Sequence, residues 1–280
     1  MTAPALSSLS PPVEVQPPEF RPYRYGLLSA AQRIEEGGRW ELGGVTYTTT
    51  GCPITTDEWV TRCPIDPPPP GPPPEKNIPI GLEEVTGKPF MLYDAVSCYP
   101  MGGRTEEELG AFAVESLTAG EQVKLEQKFW AFIRANAAVV IDPPGADTSW
   151  SMDLGLGVLE SQLAEYYGGL GVIHVPRYAL PYATTLRLTH AVGDQLLDPA
   201  DNVWAFGAGY DATGPGVHDP APAGQAWMYA TGPVVLRRAP ITQQSAFDRR
   251  TNERRALAER SYVLTVECPT FAVLVQISER

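Results

Sequence analysis

At 280 residues with 43% hydrophobic content, the chain can bury a sizeable core, as one elaborated domain or two small ones. Its net charge of −12 argues against a protein whose main task is gripping phosphates, because that affinity comes from clustered lysine and arginine. No run of about 18 apolar residues is present to span a membrane, and four cysteines (Cys52, Cys63, Cys98, Cys268) without a CxxC pair are too few for a disulfide scaffold and do not suggest zinc.

Residues 1–20 hold Pro4, Pro11, Pro12, Pro17 and Pro18 with scarcely any periodicity, the composition of a flexible arm. The segment has neither the basic nor the apolar region of a secretory signal, so synthesis in the cytoplasm with reduced thiols is the expectation. Leu27 to Ile34 reads as a short helix ended by Gly37-Gly38. Trp40 to Thr50 and Pro89 to Cys98 are β-branched and aromatic, as expected of two arms of one long hairpin.

Between these arms lies a proline-studded excursion from Thr50 to Lys88. Seven of the chain's 29 prolines occupy Pro67 to Pro70 and Pro72 to Pro74, which fixes φ and removes backbone donors. Structureless loops beyond about 12–15 residues are uncommon in compact domains, so the excursion reads as a stiff arm that reaches a neighbour. Cys52 and Cys63 flank its outer part and form a disulfide candidate.

Thr105-Glu-Glu-Glu108 is a capping box, and Thr118-Ala-Gly-Glu121 repeats the pattern, which predicts two capped helices in series over roughly residues 105–136. Leu125, Phe129, Phe132 and Ile133 share one face of the second, and Trp130 beside them is read as core. Thr148 or Ser149 is expected to cap a third helix with the stripe Leu156, Leu159, Leu163 and Tyr166, stopped at Gly168-Gly169. Gly171 to Pro176 reads as a buried strand, Arg177 to Val192 as a proline-interrupted helical stretch, and Gln195 to Phe206 as a hairpin turning at 199–202. A glycine-rich loop over 207–224 leads to a strand at 226–236. Ser261 to Ile277 closes the chain as two strands kinked at Pro269.

Residues 237–260 hold seven of the 21 basic residues against three acids. A solvated, salt-bridged helix face is the plain reading. A patch facing acidic neighbouring subunits and a nucleic-acid contact stand beside it. The search for chemistry is nearly empty: no G-x-S-x-G elbow, P-loop or H-E-x-x-H occurs. His174 falls in the buried strand and reads as a neutral core histidine, while His190 and His218 have no partner at ligand spacing. Nothing here asks for an enzyme, a cofactor or a metal.

The order of elements carries more. Lys88-Pro-Phe-Met-Leu-Tyr running toward Glu121-Gln-Val-Lys-Leu-Glu126, Leu156 to Ala164 followed by Gly171 to Pro176, and Ser261 to Val275 together resemble the Hong Kong 97-type capsid fold of tailed phages and encapsulin shells. The resemblance implies an α+β fold with an N-terminal arm (1–38), an extended hairpin loop (39–98), a peripheral domain with a long spine helix (99–165), an axial domain (166–235) and a return to the peripheral domain (236–280). It implies a major capsid protein that self-assembles into an icosahedral head around the genome. An encapsulin-like nanocompartment shell, a head–tail connector or a tail subunit are the alternatives. Its partners would be itself, in hexamers and pentamers, with scaffold, portal or decoration proteins. Packaged DNA would be touched only by weak non-specific contact, no membrane is involved, and the location would be the virion, assembled in the host bacterial cytoplasm. Trp40, Val45, Tyr47, Phe90 and Leu92 are expected to pair the hairpin arms, and Arg249, Arg250, Arg254 and Arg255 to meet acids of adjacent subunits; all nine are candidates for contacts between subunits. Lys76-Asn77 near the loop tip resembles the cross-linking pair of some relatives.

Overall fold

A computed structural model describes residue 15 and residues 18–48, 84–99, 104–145, 148–267 and 270–278. Helix α1 (Leu27–Ala30) leads to strand β1 (Gln32–Glu35), helix α2 (Trp40–Gly43) and strand β2 (Val45–Thr48). Strands β3 (Glu84–Gly87) and β4 (Pro89–Cys98) precede the 30-residue helix α3 (Glu106–Ala135). Strands β5 (Ala137–Val140) and β6 (Trp150–Ser151), helix α4 (Met152–Tyr166) and strand β7 (Val172–Pro176) follow. A single 3-10 turn (Arg177–Ala179) runs into α5 (Leu180–Thr185) and then β8 (His190–Val192), β9 (Gln195–Leu197) and β10 (Val203–Gly207). Strands β11 (Gln225–Thr231), β12 (Val234–Arg238), β13 (Thr242–Asp248), β14 (Glu253–Val266) and β15 (Thr270–Gln276) complete the chain.

Two sheets organise these elements. In the first, β14 is central: β4 runs antiparallel along one side from Pro89 opposite Val263 to Cys98 opposite Arg254. The other side of β14 is shared end to end by β12 and β13, and β1 adds in parallel to β12. The second sheet has the order β5-β15-β11-β7-β10-β9-β8, with β6 also on β15. All five residues of β7 are buried, as a strand covered on both faces requires. Strands β2 and β3 form a separate pair at the base of the excursion.

Helix α3 lies on the first sheet as one continuous element, where two helices were expected. Its start is the predicted capping box: the Thr105 hydroxyl accepts from the Glu108 N–H at 3.2 Å and the Glu108 carboxylate from the Thr105 N–H at 2.8 Å. The second box does not form. Thr118 instead donates to the Val114 carbonyl within the helix, at 2.7 Å. The reason is tertiary: Leu109, Ala113, Leu117, Glu121, Leu125, Phe129 and Ile133 are buried at every fourth residue without a break. Packing along that stripe outweighs the cost of about 1 kcal/mol for a glycine such as Gly120 inside a helix. On the facing strand, Ala256 and Ala258 are small enough to let the helix settle closely against the sheet.

Other expectations shift for similar reasons. Only Leu27–Ala30 of the first predicted helix is helical, because Gln32–Glu35 pairs with β12. Trp40 to Gly43 is a helical turn and not a strand, ended by Gly44 at a φ of 78°. Helix α4 starts after Ser151 and not at Thr148 or Ser149, and stops as predicted, with Gly168 at φ 71° bonded back to Leu163. The helical stretch from Arg177 ends at Thr185, and His190–Val192 is a strand. The hairpin from Gln195 forms as expected, with Leu197 opposite Val203.

The basic segment is a β-hairpin, not a helix face. Its arginines and alanines favour a helix locally, yet β14 is held between β4 and β13 by ladders on both sides, and that pairing decides. Asp248 closes the turn by accepting from the Arg250 N–H at 2.9 Å, and Asn252 supplies a positive φ of 55°. The predicted strand 226–236 breaks at Gly232-Pro233, where the chain leaves one sheet for the other; a Cβ on Gly232 would lie 2.4 Å from the Glu267 carbonyl oxygen. The closing segment divides too: β14 stays on α3, while β15 crosses to pair with β11. Residues 236–280 thus contribute strands to both sheets.

Candidate assembly interface

The base of the excursion is firmly seated. Val45 pairs with Gly87 and Tyr47 with Val85, and the Tyr47 hydroxyl donates to the Val266 carbonyl at 3.1 Å. Burial pushes the Tyr47 phenol up from its ordinary range. Trp40 packs against Ala239 and Val263, its indole N–H donating to the Glu36 carbonyl at 3.1 Å. None of the five residues expected to pair the arms joins one expected arm to the other: Val45 and Tyr47 pair with β3, just before the expected second arm. Strand β4 pairs with β14 instead, which turns Phe90 and Leu92 toward α3; Phe90 stacks on Tyr262 with ring centroids 5.6 Å apart. The alternate residues face outward: Met91 is 52% exposed and Tyr93 70%. Cys52, Cys63, Lys76 and Asn77 lie outside the described residues, and Cys98 is a free thiol.

All four predicted arginines come together at the β13–β14 hairpin. Arg249 and Arg250 sit in the turn, with Arg254 and Arg255 on the strand behind it. Arg255 reaches Glu253 at 3.1 Å and Asp248 at 3.7 Å, both on a solvated surface where such pairs contribute little. Among the described residues, Arg249, Arg250 and Arg254 have no ion pair. Phe247, half exposed, sits with Leu109, Ala246, Arg254 and Arg255 around a cleft of about 380 Å³. Among the described residues, β4 and β13 are the outer strands of this part of the sheet, so each has one row of backbone groups without a strand partner there.

Two acidic residues of α3, the first of them read from the sequence as part of a capping box, prove to be buried anchors. Glu121 accepts from Arg238 at 2.7 Å, Arg260 at 2.9 Å and the Tyr262 hydroxyl at 2.8 Å. Arg238 also reaches Glu35 at 2.5 Å, and this pairing holds the Glu35 carboxyl below its ordinary range. Glu126, fully buried, accepts from the Tyr23 hydroxyl at 2.5 Å, the Leu27 N–H at 3.1 Å and the Gly209 N–H at 2.9 Å. Burial, then the Glu126 hydrogen bond and charge, pushes the Tyr23 phenol far up. The helix thus pins the N-terminal segment, β1 and the loop after β10 to the sheet. No local motif announces such a role, because apart from Gln122, one turn away and 3.3 Å from Glu126, the donors come from far along the chain.

His174 is a core histidine, as expected. Thr231 donates its hydroxyl to the Gly232 carbonyl at 2.8 Å, so at 2.9 Å it must accept from His174 Nε2–H; Nδ1 then accepts from the Tyr210 hydroxyl at 3.2 Å. The imidazole is neutral, and burial pushes its pKa down to about 3 from 6.5. Because the unfolded chain takes up a proton that the folded one refuses, stability contributed by this site is complete above pH 6.5 and is lost as pH falls toward 3. Between pH 7 and 4.5 the loss is about 2–3 kcal/mol. His174→Gln keeps a donor and an acceptor without the proton, so urea unfolding at the two pH values is expected to show a loss smaller by that amount. Trp130 is likewise core, stacked on Tyr210 at 4.6 Å with its N–H donating to Asp211 at 3.0 Å. Among the described residues no cluster of metal-ligating side chains occurs.

No protein-family model matches the chain. No curated protein matches its sequence. Solved structures do match, at low identity and nearly full length. The capsid of a native GTA particle superposes with a TM-score of 0.56 at 8% identity, covering 96% of this chain and 96% of that one. A protein of Mycobacterium phage Che8 gives 0.54 at 11% identity, over 96% and 98% of the two chains. The Cyanophage Pam1 capsid gives 0.50 at 9% identity, over 100% of both. The chain has the Hong Kong 97-type capsid fold, α+β with a long spine helix, as the order of its elements implied.

Proposed function

We propose that the chain is the major subunit of an icosahedral shell, a phage head that encloses a genome. The likeness to capsid subunits runs from end to end, and that single observation carries the reading. In this reading residues 1–38 are an arm, 39–98 an extended loop on the β2–β3 base, 99–165 and most of 236–280 the peripheral domain, and 166–235 the axial domain. Subunits associate into hexamers and pentamers by burying apolar faces, and each loop spreads its binding energy over neighbours. Met91 and Tyr93 take the contact role first given to Phe90 and Leu92, since they face outward on β4. Arg249, Arg250, Arg254 and Arg255 orient the hairpin tip toward acidic neighbours. Scaffold, portal and decoration proteins are the further partners, and a chain of net charge −12 touches packaged DNA only weakly. The subunit acts by mechanics and not by catalysis, and the shell assembles in the bacterial cytoplasm to become part of the virion.

The test is to excise the excursion without disturbing its base. Thr48 pairs with Glu84, so replacing residues 49–83 by Asn-Gly closes a tight hairpin at that point. Negative-stain microscopy of the intact protein is expected to show uniform closed particles, and the shortened protein to stay folded but fail to form them. Normal particles from the shortened protein would overturn the role of the loop. Small rings from the intact protein would mark a connector, and particles holding protein cargo in place of nucleic acid would mark a nanocompartment.

A further inference from the structure

Three arginines at the β13–β14 hairpin have no acid to answer them. Arg249, Arg250 and Arg254 are exposed and without an ion pair among the described residues, while Arg255 beside them is taken by Glu253 and Asp248. The adjoining cleft of about 380 Å³ is lined by buried Leu109 and Ala256 and by half-exposed Phe247. Glu106, the carboxylate in that lining, accepts from the Ser245 hydroxyl. An apolar cleft with a cationic rim fits an apolar anchor flanked by acids. Adjacent acids occur at four places in the chain: Glu35-Glu36, Asp57-Glu58, Glu83-Glu84 and Glu106 to Glu108. Glu35 and Glu36 pair with Arg238 and Arg237, Glu84 belongs to β3, and Glu108 caps α3. Asp57-Glu58 remains, with Trp59-Val60 directly after it, in the excursion and outside the described residues.

We infer that the β13–β14 hairpin receives Asp57-Glu58-Trp59 of a second copy of the chain, the indole in the cleft beside Phe247 and the two carboxylates among Arg249, Arg250 and Arg254. This rests on the reading of the chain as a shell subunit and names the segment that its hairpin takes. Chain length points to a second copy. Tyr47 holds the start of the excursion beside Val266, at the end of β14 away from the hairpin turn. The twelve residues from Arg254 to Val266 span about 40 Å as a strand, whereas the ten from Tyr47 to Asp57 reach at most about 35 Å when fully extended. A neighbour's excursion meets no such limit. Tryptophan and arginine are the residue types that most often dominate an interface, and charges at the rim set orientation. A nucleic-acid backbone would use the arginines but leave the apolar cleft empty, and the net charge of −12 opposes it.

A labelled synthetic peptide of residues 54–62, titrated with the full-length, unassembled chain and followed by fluorescence anisotropy, is expected to bind, and more weakly as salt rises. The same peptide with Trp59→Ala should bind at least about tenfold more weakly. A chain carrying Arg250→Glu and Arg254→Glu, both on the solvated hairpin, should melt as the wild type does and lose binding by a similar factor. Peptide with Asp57→Lys and Glu58→Lys should then bind that reversed chain again. In the full-length protein the arginine reversal should abolish closed particles, and adding Asp57→Lys and Glu58→Lys should restore them. Undiminished binding by the Trp59→Ala peptide or by the reversed chain overturns the docking, as does tighter binding of a short DNA duplex at the same arginines. Peptide binding by a protein that forms no closed particles would uphold the docking and sink the shell reading; closed particles indifferent to the reversal would do the opposite.

Discussion

Glu121→Ala is expected to lower the unfolding free energy by about 3–5 kcal/mol, measured by urea titration at neutral pH. The substitution removes one carboxylate and strands two guanidinium groups. Arg238 and Arg260 each keep only 15% of their side-chain surface exposed, and the Nε of each already lacks a partner. Arg238 retains Glu35 on its outer side, but Arg260 and the Tyr262 hydroxyl have no second acceptor among the described contacts. An unpaired charge at this depth costs far more than the ion pair contributes, because desolvation is no longer offset. Domains of this kind are stable by only about 5–15 kcal/mol, so the loss is a large share of the total. The companion change Arg260→Met in the Glu121→Ala background is expected to recover part of it, since it removes the orphaned charge and keeps the bulk. If the double variant is no more stable than the single one, stranded charge is not the cause.

Glu126→Ala is expected to cost a similar amount, about 3–5 kcal/mol, but with a different signature. The carboxylate satisfies two backbone N–H groups, at Leu27 and Gly209, and the phenol of Tyr23. These donors lie on separate segments, so their common anchor ties residues 23–31 and the loop after β10 to the middle of the spine helix. Without it the N-terminal segment keeps the Tyr25 carbonyl bond to Phe206 and the Arg177 contacts, 3.0 Å to the Arg24 carbonyl and 4.6 Å from its guanidinium carbon to the Tyr23 ring. Amide exchange is therefore expected to accelerate over residues 23–31 and 207–210 well before the sheets open. Tyr23→Phe removes one of the donors cleanly and should cost only about 1 kcal/mol. Uniform acceleration across the whole chain would show that Glu126 supports the fold generally and not this strap.

Much of the fold was legible from short-range chemistry. The Thr105 capping box, the stop at Gly168, the strand from Val172 to Pro176 and the hairpin from Gln195 depend on neighbours within a few residues, and all four form. The order of arm, loop, spine helix and closing strands was enough to imply the capsid fold, because order is a property of the sequence itself. What the sequence misjudged were places where distant partners outvote local preference. Thr118-Ala-Gly-Glu121 carries a helix-start pattern, and only the unbroken stripe against β14 keeps it in mid-helix. Arginine and alanine from 249 to 260 prefer a helix, and only ladders to β4 and β13 make them a strand.

The candidate assembly surface shows the same division at finer grain. That β4 is an amphipathic strand follows from its own residues. Which parity faces the helix does not, and a shift by one residue exchanges Phe90 and Leu92 for Met91 and Tyr93, because strand side chains alternate with period two. The sequence by itself determined the order of the main elements and the class of fold. The tertiary structure alone decided which carboxylates are buried and what they hold, since Glu121 and Glu126 become anchors only when residues about a hundred positions away along the chain converge on them.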